Sequence, residues 1–137
     1  MEPQITQNTQ MVTDEGRVNL LSKRIIGCAL TVLGTLGTGF LEKVYENALI
    51  HELRKSGLAV SQQHLMVVRY DGIVVGEYVV DLLVERSVLV ELKVAKAIDE
   101  IHHAQCLNYL KASGLHLCLL LNFGKPRLEI KRIVLAL

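Results

Sequence analysis

The chain has 137 residues, half of them hydrophobic, and a formal net charge of +1 at pH 7. This length suits one domain with a core of its own, and the hydrophobic fraction excludes a largely disordered chain. The near-neutral charge excludes a long-range pull toward nucleic acid, so such binding would need a local patch.

The N-terminal residues MEPQITQNTQMVTDEGR lack the basic start and the apolar run of a signal peptide. We expect a disordered tail over residues 1–17 and a single domain over residues 18–137. Helical spacing predicts a first helix from about Leu20 to Leu36. Its inward residues are expected to be Leu21, Ile25, Cys28, Ala29, Val32 and Leu36. The uncharged run 25–41 is too short and too rich in glycine for a membrane span.

A second helix is predicted over FLEKVYENALIHELRKS, with Thr38 as its cap and Gly57 as its stop. The residues expected on its inner side are Phe40, Leu41, Val44, Ala48 and Leu53. From Val60 onward, β-branched runs predict a meander of three strands, VSQQHLMVVRY, IVVGEYVVDLLVE and VLVELKV. The expected turns lie at Asp71-Gly72 and near Arg86-Ser87.

The segment IDEIHHAQCLNYLKASG returns to helical spacing, with Asp99 as the N-cap and Gly114 beyond the end. Its expected inward residues are Ala104, Leu107 and Leu110. A buried strand, LHLCLLLNF, and an edge strand, RLEIKRIVL, complete the order ααβββαββ. A crossover helix between two strands favours parallel pairing, so we predict an α/β fold with a mixed central β-sheet flanked by helices.

The three cysteines lie singly in apolar segments and lack the spacing of zinc ligands. They are Cys28, Cys106 and Cys118. We interpret them as small buried hydrophobic residues in a reducing compartment, which predicts a cytoplasmic protein.

Three charged residues interrupt the apolar hairpin that runs from Val79 to Val94, away from its turn. They are Asp81, Glu91 and Lys93. Strand residues two apart share a face, so Glu91 and Lys93 point the same way. Asp81 joins them only if it pairs with Glu91, which requires a three-residue loop over residues 85–87. We choose this register because it groups the charges.

Two opposed carboxylates repel each other unless a cation lies between them. Carboxylate oxygens suit Mg²⁺ or Mn²⁺, and Lys93 beside them could orient a water or stabilise phosphate charge. The alternative is structural: an ion pair between Asp81 and Lys93, with Glu91 reaching solvent at the rim of the sheet. The hairpin by itself supports both interpretations.

Two helices add polar residues to this picture. On the helix after the third strand, His102, Gln105 and Tyr109 form a stripe at i, i+3 and i+7 spacing. In the second helix, Glu42 follows a glycine turn and lies in the first helical turn. The alternative for Glu42 is charge complementarity with the positive end of the helix.

Together these residues carry a resemblance. The pattern Asp81, then Glu91-Leu92-Lys93, then Gln105-x-x-x-Tyr109 resembles the PD-(D/E)XK nuclease superfamily, in the branch that has a Q-x-x-x-Y helix. From Leu20 to Leu135 the chain is also similar to small bacterial proteins called the GxxExxxxF family. The segments that carry this similarity include GTGFLEKVYENALIHELRKSGL, GEYVVDLLVE and HHAQCLNYLKASGL. The phenylalanine in the family's name would fall on Asn47.

The resemblance implies a restriction-endonuclease-like αβββαβ core with an extra N-terminal helix. The implied catalytic residues are Glu42, Asp81, Glu91 and Lys93. The implied metal ligands are Asp81, Glu91 and the Leu92 carbonyl, holding Mg²⁺ or Mn²⁺, and Gln105 and Tyr109 would contact substrate. The implied function is metal-dependent hydrolysis of phosphodiester bonds, with DNA as the expected nucleic-acid partner.

A second class of function is a catalytically inactive interaction or nucleic-acid-binding module on the same fold. The apolar segment IIGCALTVLGTLG could leave a patch for a homodimer. The complete set of acidic, lysine, glutamine and tyrosine positions favours the enzyme.

Overall fold

A computed structural model describes the backbone of residues 2–136 and the side chains of residues 16–136. Its elements follow the predicted order ααβββαββ. They are α1 (Glu2–Leu36), α2 (Glu42–Lys55), β1 (Val60–Tyr70), β2 (Ile73–Val84), β3 (Val88–Lys93), α3 (Glu100–Ser113), β4 (Leu117–Asn122) and β5 (Glu129–Val134). The strand predictions are therefore confirmed to within two residues at each end.

Helix α1 begins at Glu2, well before the predicted start near Leu20, and ends at Leu36 as predicted. The predicted disordered tail of residues 1–17 falls mostly on residues whose side chains lie outside the described part. The division of the chain into a tail and a domain therefore stays a prediction.

The five strands form one sheet in chain order, with β1 and β5 at its edges. Strands β3 and β4 are parallel and are joined by α3, whereas every other neighbouring pair is antiparallel. The predicted mixed sheet and the crossover helix are confirmed. The carboxyl ends of β3 and β4 consequently lie side by side, where Lys93 is paired with Asn122.

Helices α1 and α2 cover one face of the sheet, and α3 covers the other. Alternate residues of β3 divide between two apolar clusters: Val90 and Leu92 pack with α1 and α2, and Leu89 packs with α3. Because both faces are covered, β3 and β4 are apolar almost throughout. Cys106 and Cys118 are buried as predicted, and Cys28 is half-buried.

The inner side of α2 agrees only in part with the prediction: Leu53 is buried and Ala48 packs against the core as predicted. Its buried residues are Tyr45, Glu46, Leu49, Ile50 and Leu53. Phe40, Leu41 and Val44 are exposed, and Thr38 does not cap the helix, which begins at Glu42 after Leu41 without a side-chain cap. The cause is Tyr45, whose hydroxyl donates to the Gly37 carbonyl at 2.6 Å and whose ring stacks on Phe123.

Helix α3 begins and ends at the predicted signals. The Asp99 side chain accepts from the backbone N–H of His102 in a capping box, and Gly114 adopts a left-handed φ of 75° beyond the end. The predicted inward face is confirmed at Leu110, which is buried, and at Leu107, which packs against the core, but not at Ala104. The buried residues of the helix are Cys106, Tyr109 and Leu110, and Ala104 is exposed. Tyr109 of the predicted polar stripe therefore points into the protein.

The α1 segment Gly16–Leu36 could cross a membrane by length and composition alone, with a mean hydropathy of 1.2. This segment is longer than the uncharged run seen in the sequence, because the helix continues toward the N-terminus. One side of it, including Leu21, Ile25 and Ala29, packs in the core against the sheet. A core helix of a globular domain passes the same test, so the hydropathy is weak evidence for a span.

A fully buried asparagine fixes the chain beyond β3. The Oδ1 atom of Asn122 accepts from the backbone N–H groups of Ala95 and Gly124 at 3.0 and 2.9 Å. Its Nδ2 donates to the Ala95 carbonyl at 2.9 Å and to Glu129 Oε1 at 3.0 Å. All four hydrogen-bonding positions of the amide are used. The segment that follows Lys93 is thereby tied to the end of β4.

We predict that Gly124→Ala destabilises the protein. A Cβ atom there would lie 2.5 Å from the carbonyl oxygen and 2.6 Å from the nitrogen of Ala95, so backbone must shift. The expected loss is about 1–3 kcal/mol in the free energy of unfolding, measured with urea. Gly76→Ala is the control, because its Cβ would meet only Val68 at 3.9 Å. Equal stability of the two variants would contradict the prediction.

Candidate active site

The hairpin between β2 and β3 has the predicted register. Leu82 pairs with Val90 and Val84 pairs with Val88, which leaves a three-residue loop over residues 85–87. Glu85 and Arg86 of this loop have positive φ values of 53° and 55°. One further step of the same register places Asp81 across from Glu91.

At that position, hydrogen bonds from backbone N–H groups to side chains join β2 and β3. The backbone N–H of Asp81 donates to Glu91 Oε1 at 3.0 Å, and the backbone N–H of Leu92 donates to Asp81 Oδ2 at 2.8 Å. Each strand thus supplies one carboxylate to the other strand's backbone. The two acids are held together by neutral donors, so their charges remain uncompensated by this exchange.

Two further groups contact the carboxylate of Glu91. The ammonium of Lys93 lies 3.6 Å from Glu91 Oε2, and the hydroxyl of Tyr109 donates to the same oxygen at 3.3 Å. Glu91 is only 5% exposed. The structural alternative, an Asp81–Lys93 pair with Glu91 in solvent, is therefore wrong, because the lysine pairs with Glu91 and that acid is buried.

Burial and the neighbouring charge of Asp81 raise the pKa of Glu91 from 4.5 to about 7. The Asp81 amide and the Lys93 ammonium oppose this shift only in part. Burial, followed by the charge of Glu91, raises the pKa of Tyr109, whose hydroxyl therefore stays a donor. Glu91 consequently keeps a proton to a higher pH than a free carboxyl does, because it is buried beside the charge of Asp81.

Glu42 is the first residue of α2 and is half-buried. Burial and then the charge of Asp81 raise the pKa of Glu42, and Lys93 and the backbone amide of Val94 act in the opposite direction. The structure thus brings Glu42 into the electrostatic field of the strand acids. Gln105 is half-buried on α3, one turn before Tyr109. None of the described side-chain hydrogen bonds involves it.

Sequence reasoning missed a second polar group, which adjoins Asp81. Glu46 is 2% exposed and accepts from Lys43 at 2.9 Å, from Gln62 at 2.6 Å and from Gln63 at 3.0 Å. Burial favours a higher pKa for Glu46, but these hydrogen bonds outweigh it and hold the pKa below its usual value. The sequence contained two signals of this group: two adjacent glutamines in a strand, and an acid four residues after Glu42.

The chemistry of the donors fits a divalent cation. Asp81 and Glu91 each accept hydrogen bonds at both oxygens, but an ionised carboxylate has about four lone-pair positions, so lone pairs remain for a cation. Together with Glu42, they offer the hard oxygen ligands that Mg²⁺ and Mn²⁺ prefer. Over the residues described, no group of three or more His, Cys, Asp or Glu side chains forms a ready-made cluster. The predicted share of the Leu92 carbonyl in metal binding stays a prediction.

Residues 19–133 match the family model of the PD-(D/E)XK nuclease superfamily. The chain belongs to this superfamily. Among solved structures, the fold is similar to "Crystal structure of SSO0001", at 19% identity over 69% of this chain and 50% of that chain, with a TM-score of 0.55. An alkaline exonuclease from Laribacter hongkongensis is more distant, at 14% identity over 69% of this chain and 56% of that chain, with a TM-score of 0.41.

No curated protein matches this chain. The chain spans about half the length of the solved proteins that it resembles. Its five-stranded mixed sheet flanked by helices agrees with the restriction-endonuclease-like fold of the PD-(D/E)XK superfamily, which confirms the predicted fold class. The finer predictions, the GxxExxxxF family and the Q-x-x-x-Y branch, stay predictions.

We predict that metal-free protein loses stability as the pH rises from 4.5 to about 7. The folded state raises the pKa of Glu91, so it holds a proton that the unfolded state has released across this window. The full loss is on the order of 3 kcal/mol in the free energy of unfolding. Urea unfolding in chelator at pH 5 and pH 8 measures it.

Glu91→Gln should flatten this dependence, because the amide does not ionise. Glu77→Gln, at an exposed position of β2, should retain it. The same pH slope in wild type and Glu91→Gln would contradict the assignment of the loss to Glu91.

Proposed function

We propose that this protein is a metal-dependent nuclease that hydrolyses phosphodiester bonds, with DNA as its substrate. The proposal rests chiefly on one observation, the exchange of hydrogen bonds that holds Asp81 of β2 beside Glu91 of β3. Membership of the PD-(D/E)XK nuclease superfamily supports the same chemistry.

In this proposal Asp81, Glu91 and the Leu92 carbonyl would hold Mg²⁺ or Mn²⁺. Such a metal, when bound, lowers the pKa of a coordinated water and offsets charge on the phosphate. The side chain of Lys93 is one-fifth exposed and reaches the same carboxylate as Tyr109, so its ammonium can also meet a phosphate oxygen or the attacking water. Its contribution would be electrostatic and would act mainly in the transition state.

The remaining site residues have supporting roles. Tyr109 orients Glu91 by donating to Oε2, and Glu42 adds a third carboxylate from the N-terminal end of α2. Half-buried Gln105 on the same helix as Tyr109 would contact the substrate. The resemblance to the Q-x-x-x-Y branch implies that Tyr109 contacts the substrate together with Gln105. Because Tyr109 is buried, its role in this proposal is to hold Glu91.

The same proposal places the protein in the small GxxExxxxF family and in the cytoplasm. The cysteines support a reducing compartment, because all three are unpaired and two of them are buried.

The second candidate function is a nuclease-fold interaction module that forms a homodimer. Leu20 and Leu30 of α1 support it, since they are 64% and 52% exposed.

We predict that Lys93→Met lowers nuclease turnover by about 10² or more, the scale of a preorganised electrostatic group. Methionine keeps the length of the side chain and removes the charge, so the fold and nucleic-acid binding should persist. The measurement is single-turnover cleavage of single- and double-stranded DNA and RNA with Mg²⁺ or Mn²⁺. Lys111→Met, at an exposed position of α3, is the matched control.

Activity that survives unchanged in Lys93→Met would reject the catalytic role of this lysine. Purified wild-type protein that cleaves none of these substrates would favour the interaction module instead.

We also predict that Mn²⁺ or Mg²⁺ raises the melting temperature of the wild-type protein, because a ligand that binds only the folded state stabilises it. Asp81→Asn and Glu91→Gln should abolish this response by removing a metal ligand. Glu77→Gln should leave it intact. A response that persists in both site variants would place the cation elsewhere on the protein.

A further inference from the structure

One residue in the middle of β1 has a backbone conformation that strands do not use. Gln63 has a φ of 50°, whereas the other non-glycine residues with positive φ lie in turns. The neighbours on either side stay in register, Gln62 with Leu82 and His64 with Val80. Gln63 therefore faces Asp81 on the adjacent strand. A left-handed residue of this type is strained and persists only where its surroundings determine it.

The unusual φ changes the side to which Gln63 points. Consecutive strand residues normally project to opposite faces of a sheet. Here the Nε2 atoms of both Gln62 and Gln63 donate to Glu46 Oε2, at 2.6 and 3.0 Å. The left-handed conformation thus places two successive amides on one buried carboxylate.

The amide of Gln63 also joins Glu46 to the candidate active site. Its Nε2 atom lies 3.2 Å from Asp81 Oδ1, so the two N–H bonds of one nitrogen serve two carboxylates. Ionised carboxylates accept hydrogen bonds and do not donate them. The amide nitrogen of Gln63, and not its oxygen, is therefore the atom that lies between the two carboxylates. This donor is neutral, so it restrains Asp81 without adding a positive charge that would compete with a cation.

We infer that Gln63 is a positioning residue for Asp81, and that buried Glu46 fixes the orientation of the Gln63 amide. With Oδ1 on Gln63 and Oδ2 on the backbone N–H of Leu92, both oxygens of Asp81 are restrained before a cation arrives. Partners of this kind commonly change metal affinity when they are removed. The inference rests on the proposed function and adds two residues to the same site.

The test compares Gln63→Gly and Gln63→Met with Gln62→Met. Glycine removes the amide and also the backbone strain, so loss of the amide can be separated from loss of stability. Gln62 donates to Glu46, and none of the described hydrogen bonds joins it to Asp81. It therefore controls for a general weakening of the Glu46 network.

The first measurement uses metal-free protein. Hydrogen exchange at the Leu92 amide, followed by NMR, reports whether Asp81 still accepts from it. We expect exchange to become about fivefold faster in both Gln63 variants, the effect of weakening one hydrogen bond. Gln62→Met should stay near the wild-type rate, and Gln63→Gly should keep the wild-type urea midpoint.

The second measurement is calorimetric titration with Mn²⁺. We expect affinity to fall about tenfold in the Gln63 variants and to change less than twofold in Gln62→Met. Unchanged Leu92 exchange, equal effects of the Gln62 and Gln63 variants, or unaltered Mn²⁺ affinity would each overturn the inference. Wild-type protein that binds no Mn²⁺ would reject the proposed metal site, and the Leu92 comparison would still decide whether Gln63 restrains Asp81.

Discussion

The exchange of hydrogen bonds between Asp81 and the strand that carries Glu91 is the interaction on which the rest of the site depends. It requires one register of the β2–β3 hairpin, which the three-residue loop sets. A slip of one residue would send the acids to opposite faces of the sheet. Asp81 would then no longer lie beside the carboxylate that Lys93 and Tyr109 contact. The apolar strands on either side therefore fix the position of the charges.

The site draws on both layers of helices because the regular alternation of β2 is interrupted at Asp81. Val80 and Leu83 both pack in the cluster on the α3 side, while Leu82 packs in the cluster under α1 and α2. Tyr109 approaches from one side of the sheet, and Glu46 approaches from the other. Asp81 lies between these two groups, because its Oδ1 accepts from Gln63 and its backbone N–H donates to Glu91.

Much of the fold could be predicted because its signals are local: alternating apolar residues, the Asp71-Gly72 turn and the N-cap at Asp99. The register followed from grouping the charged residues of the hairpin, which is also a local argument. The inward face of α2 could not be derived in this way. Several apolar residues compete for it, and a distant partner, Phe123, selects Tyr45. The strained φ of Gln63 was equally hidden, because it depends on partners in α2 and β2 that no spacing rule connects to it.

The buried amide of Asn122 also makes the site depend on residues far along the chain. It joins the segment after Lys93 to β4 and to Glu129, so the anchor closes a loop of 27 residues between Ala95 and Asn122. Closing such a loop costs entropy that only the parallel β3–β4 pairing and the docked α3 can offset. The position of the lysine backbone thus depends on contacts that are distant in sequence. A growing chain that has not yet reached Glu129 has the hairpin acids but lacks the complete anchor beside them.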